Sequence, residues 1–372
     1  MSWLKIMDWL RRVYPEARIV EPDAGPLEVV HTGDPSAEYE ALTDRVALLV
    51  SPAWAPIFVE GPDAVSYLHR RLSNSIESLE VGRGTHALQL EGDGRLASDL
   101  LVYRGRDALF VLAGVENVAS AYELIEKFTL MDEVEVGRQW ETEATLGLAG
   151  PRAHEVLAGL LDPPAPAEAL APGGWGGLFS VTLGGLPCRI FEDARWPFAY
   201  YHLCIPPMAL EQVARLLDEA CGREGGRAAG ELAARLARIE AGIPRQGEDL
   251  GERTIPLEAE MRDALSDAKG CYPGQEVIAR ITNLGHPARL LRRLSLEGEH
   301  AIPADAKLTV EGRDVGIVTS WATWPGLGRT EALGYLKWAD REAEAAEVSL
   351  APTDRRVPAR VGPLREIRSH GG

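Results

Sequence analysis

The chain has 372 residues, 45% hydrophobic and 26% charged, with 39 basic against 56 acidic side chains and a formal net charge of −17. That length suits two or three globular domains at roughly 100–200 residues each, with cores that need neither disulfides nor metals. The acidic balance argues against direct nucleic-acid binding, which needs clustered Lys and Arg, and no apolar run approaches the ~18 residues of a membrane span.

Trp3 to Arg12 reads as an amphipathic surface helix. Lys5, Asp8, Arg11 and Arg12 interrupt any continuous apolar stretch, so it is not a secretory signal. A polar connection with Pro and Gly follows to about residue 40, and the body begins near Asp44. Ile57 and Val59 alternate on a strand that ends at Gly61-Pro62. Asp63 is placed to cap the next helix, on which Val65, Leu68 and Leu72 share a face. Then comes a hairpin series. His86–Leu90, Leu96–Tyr103 and Ala108–Ala113 are strands, with turns at Gly92-Asp-Gly94 and Gly105-Arg-Asp107. A helix over 117–128 and a short strand at Val134 and Val136 follow. Leu146 to Pro151 reads as a strand entering a helix, with Pro151 suited to its first turn.

Asp162 to Pro166 and Pro172 to Gly177 read as loop, and their glycines match neither a dinucleotide nor a P-loop pattern. Strands resume near Phe179–Leu183, Cys188–Phe191 and Ala199–Ile205, followed by helices over 208–221 and 229–241. Past about residue 290 short strands predominate, at Leu294 and Leu296, Leu308 and Val310, Val315–Thr319, Leu333–Leu336 and Val348–Leu350. They predict a small β-barrel, with the Arg-containing tail from Asp354 solvated. The fold class is α+β, in three parts: residues 1–40 as helix and connection, 41–290 as mixed modules, and 291–372 as barrel and tail.

Chemistry concentrates in Lys269-Gly-Cys-Tyr-Pro-Gly-Gln-Glu276. Gly270 and Gly274 admit backbone angles closed to other residues, and Pro273 fixes its own φ, so an ordered turn is expected. Lys269 beside Cys271 favours the thiolate, the reactive form of cysteine. The cysteines Cys188, Cys204, Cys221 and Cys271 contain no Cys-x-x-Cys pair and have no His at zinc-ligand spacing, so no structural zinc is expected. Their scatter suits a reducing cytosol. Elsewhere, alternation puts Asp99, Leu101 and Tyr103 on one face of their strand. A carboxylate there could accept hydrogen bonds from a nitrogen-rich ring, with the phenol stacked beside it.

The Lys-Gly-Cys-Tyr-x-Gly-Gln-Glu stretch resembles the signature of the YgfZ-type folate-binding proteins, implicated in iron–sulfur cluster maintenance. Those proteins are relatives of the glycine-cleavage T-protein, an aminomethyltransferase. Gly92 to Tyr103 is similar to the T-protein stretch that supplies a folate-contacting Asp and Tyr, with Asp99 and Tyr103 on those positions. Leu72-Ser-Asn74, Gly150-Pro-Arg-Ala153, Arg238-Ile-Glu-Ala-Gly242, Gly316-Ile-Val-Thr-Ser320 and Leu333-Gly-Tyr335 follow in family order. The region Phe191 to Tyr201 lacks the T-protein's Gly-Tyr-Thr-Gly-Glu pattern; Glu192 or Asp193 could substitute, and His86 stands near a family Tyr.

The resemblance implies a T-protein-like fold of three modules around a central channel holding tetrahydrofolate or a one-carbon derivative. It implies folate contacts by Asn74, Asp99, Tyr103, Lys269, Tyr272, Gln275 and Glu276. Arg238, and secondarily Arg280, would meet the glutamate carboxylates. Cys271 and Asp99 are the catalytic candidates. Iron–sulfur enzymes or assembly factors are the implied partners, and the site is cytoplasmic. The alternative is an aminomethyltransferase that moves a one-carbon unit from a lipoyl carrier to tetrahydrofolate.

Overall fold

The computed structural model describes residues 2–20, 28–51, 53–164, 170, 177–304, 306–350 and 355–365. Of the two loops expected around the Pro- and Gly-rich region, most of the second lies outside these residues. The chain divides into two compact units.

The first unit comprises Met1–Gly92, Ala97–Ala234 and Asp263–Pro273 and is built on two large sheets. One sheet has five strands in the order Gly84–Leu90, Leu96–Arg104, Ala108–Gly114, Trp54–Glu60 and Glu135–Gly137. The helices Ala64–Arg71 and Val118–Glu126 supply Leu68 and Ile125 to a cluster with Ile57, Leu100, Val102 and Val111 from the strands. Asp63 does not cap its helix through its side chain. Its carboxylate instead accepts the Glu133 N–H at 2.9 Å, tying the helix start to the far end of the sheet.

The second sheet has six strands in the order Leu178–Leu183, Leu186–Glu192, Tyr200–Ile205, Ala144–Ala149, Ala47–Leu49 and Arg227–Ala229. All the pairings are antiparallel except the last, which is parallel. The helices Ser2–Val13 and Leu210–Arg223 bury Ile6, Trp9, Leu10, Val213 and Leu217 against Leu146, Leu148 and Leu203. The N-terminal segment is thus a core-covering helix.

The connection expected to residue 40 holds more order than its polarity suggested. Arg18–Val20 pairs with Glu28–His31, and the helix Pro35–Asp44 follows, its N-terminus capped by the Asp34 carboxylate. Glu38 on that helix is buried and accepts from Thr32 N–H at 2.7 Å and Gly230 N–H at 2.9 Å. A buried carboxylate with such donors is stable because its lone pairs are satisfied.

The second unit comprises Asp93–Leu96, Arg235–Arg262 and Gly274–Gly372. It contains the helix Gln275–Leu284, which starts at Gly274 with φ +79°, an angle that favours glycine. Its closed barrel runs Arg289–Glu297, Arg329–Lys337, Arg313–Ala322, Lys307–Val310, Ala345–Leu350 and Arg355–Gly362. The last strand pairs back onto the first and closes the barrel. The tail expected to be solvated is therefore a strand over these residues. Val357, Ala359 and Val361 enter the core, while its arginines alternate outward.

Three short segments of the second unit meet at one buried carboxylate. Asp249 accepts from the Arg238 guanidinium at 2.7 Å and from Ser320 Oγ at 2.7 Å, and its backbone carbonyl accepts from the Tyr335 hydroxyl at 3.0 Å. Arg238 also donates to Ile243 O at 2.8 Å and lies 3.3 Å from Glu248. Asp249 thus joins Arg238 to two barrel strands.

Candidate functional site

Inside the first unit the two sheets face each other. The five-stranded sheet contributes Leu101, Tyr103, Phe110 and Leu112, and the six-stranded sheet contributes Phe191 and Cys204. The expected alternation holds: Leu100 and Val102 point to the helix-covered side, and Leu101 and Tyr103 to the other sheet. Tyr103 is fully enclosed. Its ring centroid is 5.1 Å from that of Phe191, and its hydroxyl donates to Glu192 O at 2.6 Å. Gly84 lies against this ring, where a Cβ would collide with it. Burial pushes the Tyr103 phenol well above its ordinary pKa, so it stays neutral.

Asp99 extends this face into a chain of charges. Its Oδ1 lies 2.5 Å from His86 Nε2, and its Oδ2 accepts from Arg195 Nη1 at 3.2 Å. The other ring nitrogen of His86 lies 3.1 Å from Asp263 Oδ2. Arg195 also donates to both oxygens of Asp193, from Nε at 2.9 Å and from Nη2 at 2.7 Å, and stacks 4.5 Å over Trp54. His202 stands 3.5 Å from Asp193. The side chains of His86, Asp99, Asp193, Arg195 and His202 are all at most 4% exposed, whereas Asp263 is 26% exposed.

The protonation states follow from this geometry. Burial opposes charge on His86, but Asp99 and Asp263 outweigh it and raise its pKa to about 9. With a carboxylate at each ring nitrogen, the imidazolium donates in both directions. Burial alone would raise Asp193; Arg195 overrides it and holds the carboxyl far below its usual range. Burial lowers His202 against the pull of Asp193, so that ring is neutral. The cluster thus holds two cations, His86 and Arg195, against three carboxylates.

The turn expected from its glycines and Pro273 is held by the Leu72-Ser-Asn74 stretch. The Lys269 ammonium donates to the carbonyls of His69 and Leu72 and, at 3.2 Å, to that of Asn74. Ser73 Oγ donates to Ala264 O at 2.6 Å, and Asn74 Nδ2 donates to Asp263 O at 3.0 Å and His86 O at 2.9 Å. Asn74 and Lys269 therefore position the turn and the relay through backbone atoms. Burial lowers the Lys269 pKa to about 8. Tyr272 is buried, its ring 5.2 Å from the Lys269 ammonium, and Cys271 is exposed.

Glu192, weighed as a substitute for the missing acidic position, accepts the Gly177 N–H at 3.0 Å. Gln275, Glu276 and Arg280 lie on the helix Gln275–Leu284 of the second unit, with Glu276 and Arg280 exposed. Sequence reading missed Asp263 and the pairing of Arg195. The available signal was the acidic and basic pair Asp193 and Arg195 two positions apart on a strand-end turn.

Residues 12–269 match the GCVT N-terminal domain family, and the chain belongs to that family. It is 29% identical over 352 residues to an aminomethyltransferase of Rubrobacter xylanophilus, covering 94% of this chain and 90% of that one. It is 27% identical over 325 residues to the aminomethyltransferase of Streptomyces avermitilis, covering 86% and 85%. The solved structure of glycine cleavage system aminomethyltransferase T from Bartonella henselae superposes with a TM-score of 0.80 at 20% identity, covering 97% of this chain and 96% of that chain. The fold is therefore the α+β fold of that protein, with a closed C-terminal barrel. No helix among the described residues is long and apolar enough to cross a membrane.

Proposed function

We propose, with membership of the GCVT N-terminal domain family as the premise, that this chain binds tetrahydrofolate and transfers a one-carbon unit to it as an aminomethyltransferase. The observation that carries this reading is similarity along almost the whole length, 94% of this chain and 90% of the Rubrobacter xylanophilus aminomethyltransferase. In the reaction, the carbon–sulfur bond of an aminomethylated lipoyl carrier breaks. The methylene carbon passes to the folate nitrogens, ammonia leaves, and the carrier is released as its dithiol.

A pterin presents ring and exocyclic N–H groups, and the acceptor set here fits it: carboxylates that face cations are strong acceptors. Asp99 pairs with His86 through Oδ1 and with Arg195 through Oδ2. Asp263, at 26% side-chain exposure, is the more accessible acceptor. In this reading Asp263 meets the ring, and Asp99 fixes the charge and orientation of His86 behind it. Tyr103 supports the wall from within. Arg238 supports the second unit, since its guanidinium already holds Asp249. The test is ammonia and methylenetetrahydrofolate formation from an aminomethylated lipoyl carrier. Turnover that falls in Asp263→Asn is expected; absence of turnover together with absence of folate binding by calorimetry refutes the reading.

A second reading, a YgfZ-like folate-dependent accessory protein for iron–sulfur enzymes in the cytosol, is favoured by Cys271. Its thiol is exposed on the turn fixed by Lys269. A Cys271→Ser variant that leaves aminomethyl transfer intact but lowers the activity of an iron–sulfur enzyme in cells would support it. Equal enzyme activity with either form would eliminate it.

A further inference from the structure

A cavity of about 290 Å³ in the first unit shares no lining residue with the charge relay. Its walls come from the end of the helix Ala64–Arg71, from Gln89 to Gly92, from the end of the helix Val118–Glu126, and from Pro273 of the signature turn. Arg71 lies 3.9 Å over the Phe128 ring and the Lys127 ammonium 5.4 Å from it. No carboxylate among the described residues pairs with either cation. The C-terminal ends of their helices favour each cation singly, but not the meeting of two at one cavity. Like charges over one ring repel, and an anion between them removes the repulsion.

The third feature is Gln89, 6% exposed, whose side-chain carbonyl oxygen is buried and accepts no hydrogen bond from any described residue. A buried carbonyl oxygen without a partner is costly to leave unmet, and it is an acceptor suited to an N–H donor. Glu91 also lines the cavity and is exposed. The walls therefore carry two cations on one part, a carboxylate on another, and an unpartnered carbonyl oxygen. At ~30 Å³ per water, the volume is that of about ten waters, room for a free α-amino acid.

We infer that this cavity binds a small zwitterionic amino acid, its carboxylate on Arg71 and Lys127 and its ammonium between Glu91 and the Gln89 amide. The site is independent of the folate reading. The test is calorimetric titration of the full chain with glycine, L-alanine and L-glutamate, beside acetate, methylamine and inorganic phosphate. At least one amino acid binds, and acetate and methylamine, which lack one charge each, bind roughly tenfold or more weaker. Arg71→Ala, Lys127→Ala and Gln89→Leu each weaken the amino acid by a similar factor. Lys127 is exposed, so its variant keeps the fold, which circular dichroism checks. Tetrahydrofolate affinity is unchanged in Lys127→Ala. Acetate or phosphate binding as tightly as every amino acid overturns the zwitterion assignment. Absence of heat with all six probes, undiminished binding in Arg71→Ala and Lys127→Ala, or joint loss of folate binding overturns the site.

Discussion

Replacing Arg195 by Met leaves its volume largely filled but strips the charge from the centre of the relay. Asp193 loses both of its guanidinium bonds and Asp99 loses one, at side-chain exposures of 0% and 4%. One cation, His86, then faces three carboxylates. Removing one partner of a buried ion pair costs about 3–5 kcal/mol, because the partner's charge stays desolvated. For a unit of this size that lowers its melting transition by roughly 6–20 °C. The pH dependence carries the sign. In the native protein Asp193 is held far below the unfolded carboxylate value, so its contribution is present above that value and lost on acidification. In Arg195→Met, burial outweighs the remaining pull of His202, the Asp193 pKa rises above the unfolded value, and the penalty is relieved as pH falls. The stability gap between the two proteins therefore narrows from pH 7 toward pH 4. Scanning calorimetry across that range measures it. A gap below about 1 kcal/mol at pH 7, or one that does not narrow, refutes the claim that Arg195 neutralises buried carboxylates.

His86 titrates in the opposite sense. Its folded pKa of about 9 lies above the ordinary 6.5, so its contribution is full below 6.5 and lost as pH rises through about 9. The interval corresponds to about 3 kcal/mol at most; urea midpoints should fall across that window in the wild type, and His86→Gln should lose that fall. Four free cysteines differ in access: Cys271 is exposed, whereas burial pushes Cys204 to about 11, Cys221 to about 12 and Cys188 higher. A thiol reagent should react rapidly with one equivalent in the native protein and with four in denaturant; a second fast thiol would contradict the burial. Lys269→Met removes the ammonium from the carbonyls of His69, Leu72 and Asn74. It should cost roughly 1–3 kcal/mol and accelerate hydrogen exchange in residues 263–273, and unchanged exchange there would show that the turn holds itself.

Side-chain periodicity made most of the elements readable, because strand and helix faces are local properties. The hairpin series, the paired helices, the turn at Gly274 and five of the barrel's strands follow from spacing and from the backbone freedom of glycine. The same local reading failed where charge disguised the pattern. Arg355, Arg356 and Arg360 hid the alternation that sends Val357, Ala359 and Val361 into the barrel. Polarity around Glu38 likewise hid a helix whose carboxylate is buried. The order of short segments was enough to point to the family, and the turn around Cys271 was visible as a concentration of unusual residues. The ionic relay was not visible. His86 and Asp263 are 177 positions apart and Arg195 and Asp99 are 96 apart, and no local spacing encodes which distant charge a buried carboxylate will meet. Only the tertiary arrangement, which sets Asp99 on the neighbouring strand and Asp263 on a segment from far along the chain at the two ring nitrogens, fixed the protonation of His86 and separated the accessible Asp263 from the enclosed Asp99, because desolvation and pairing depend on three-dimensional neighbours.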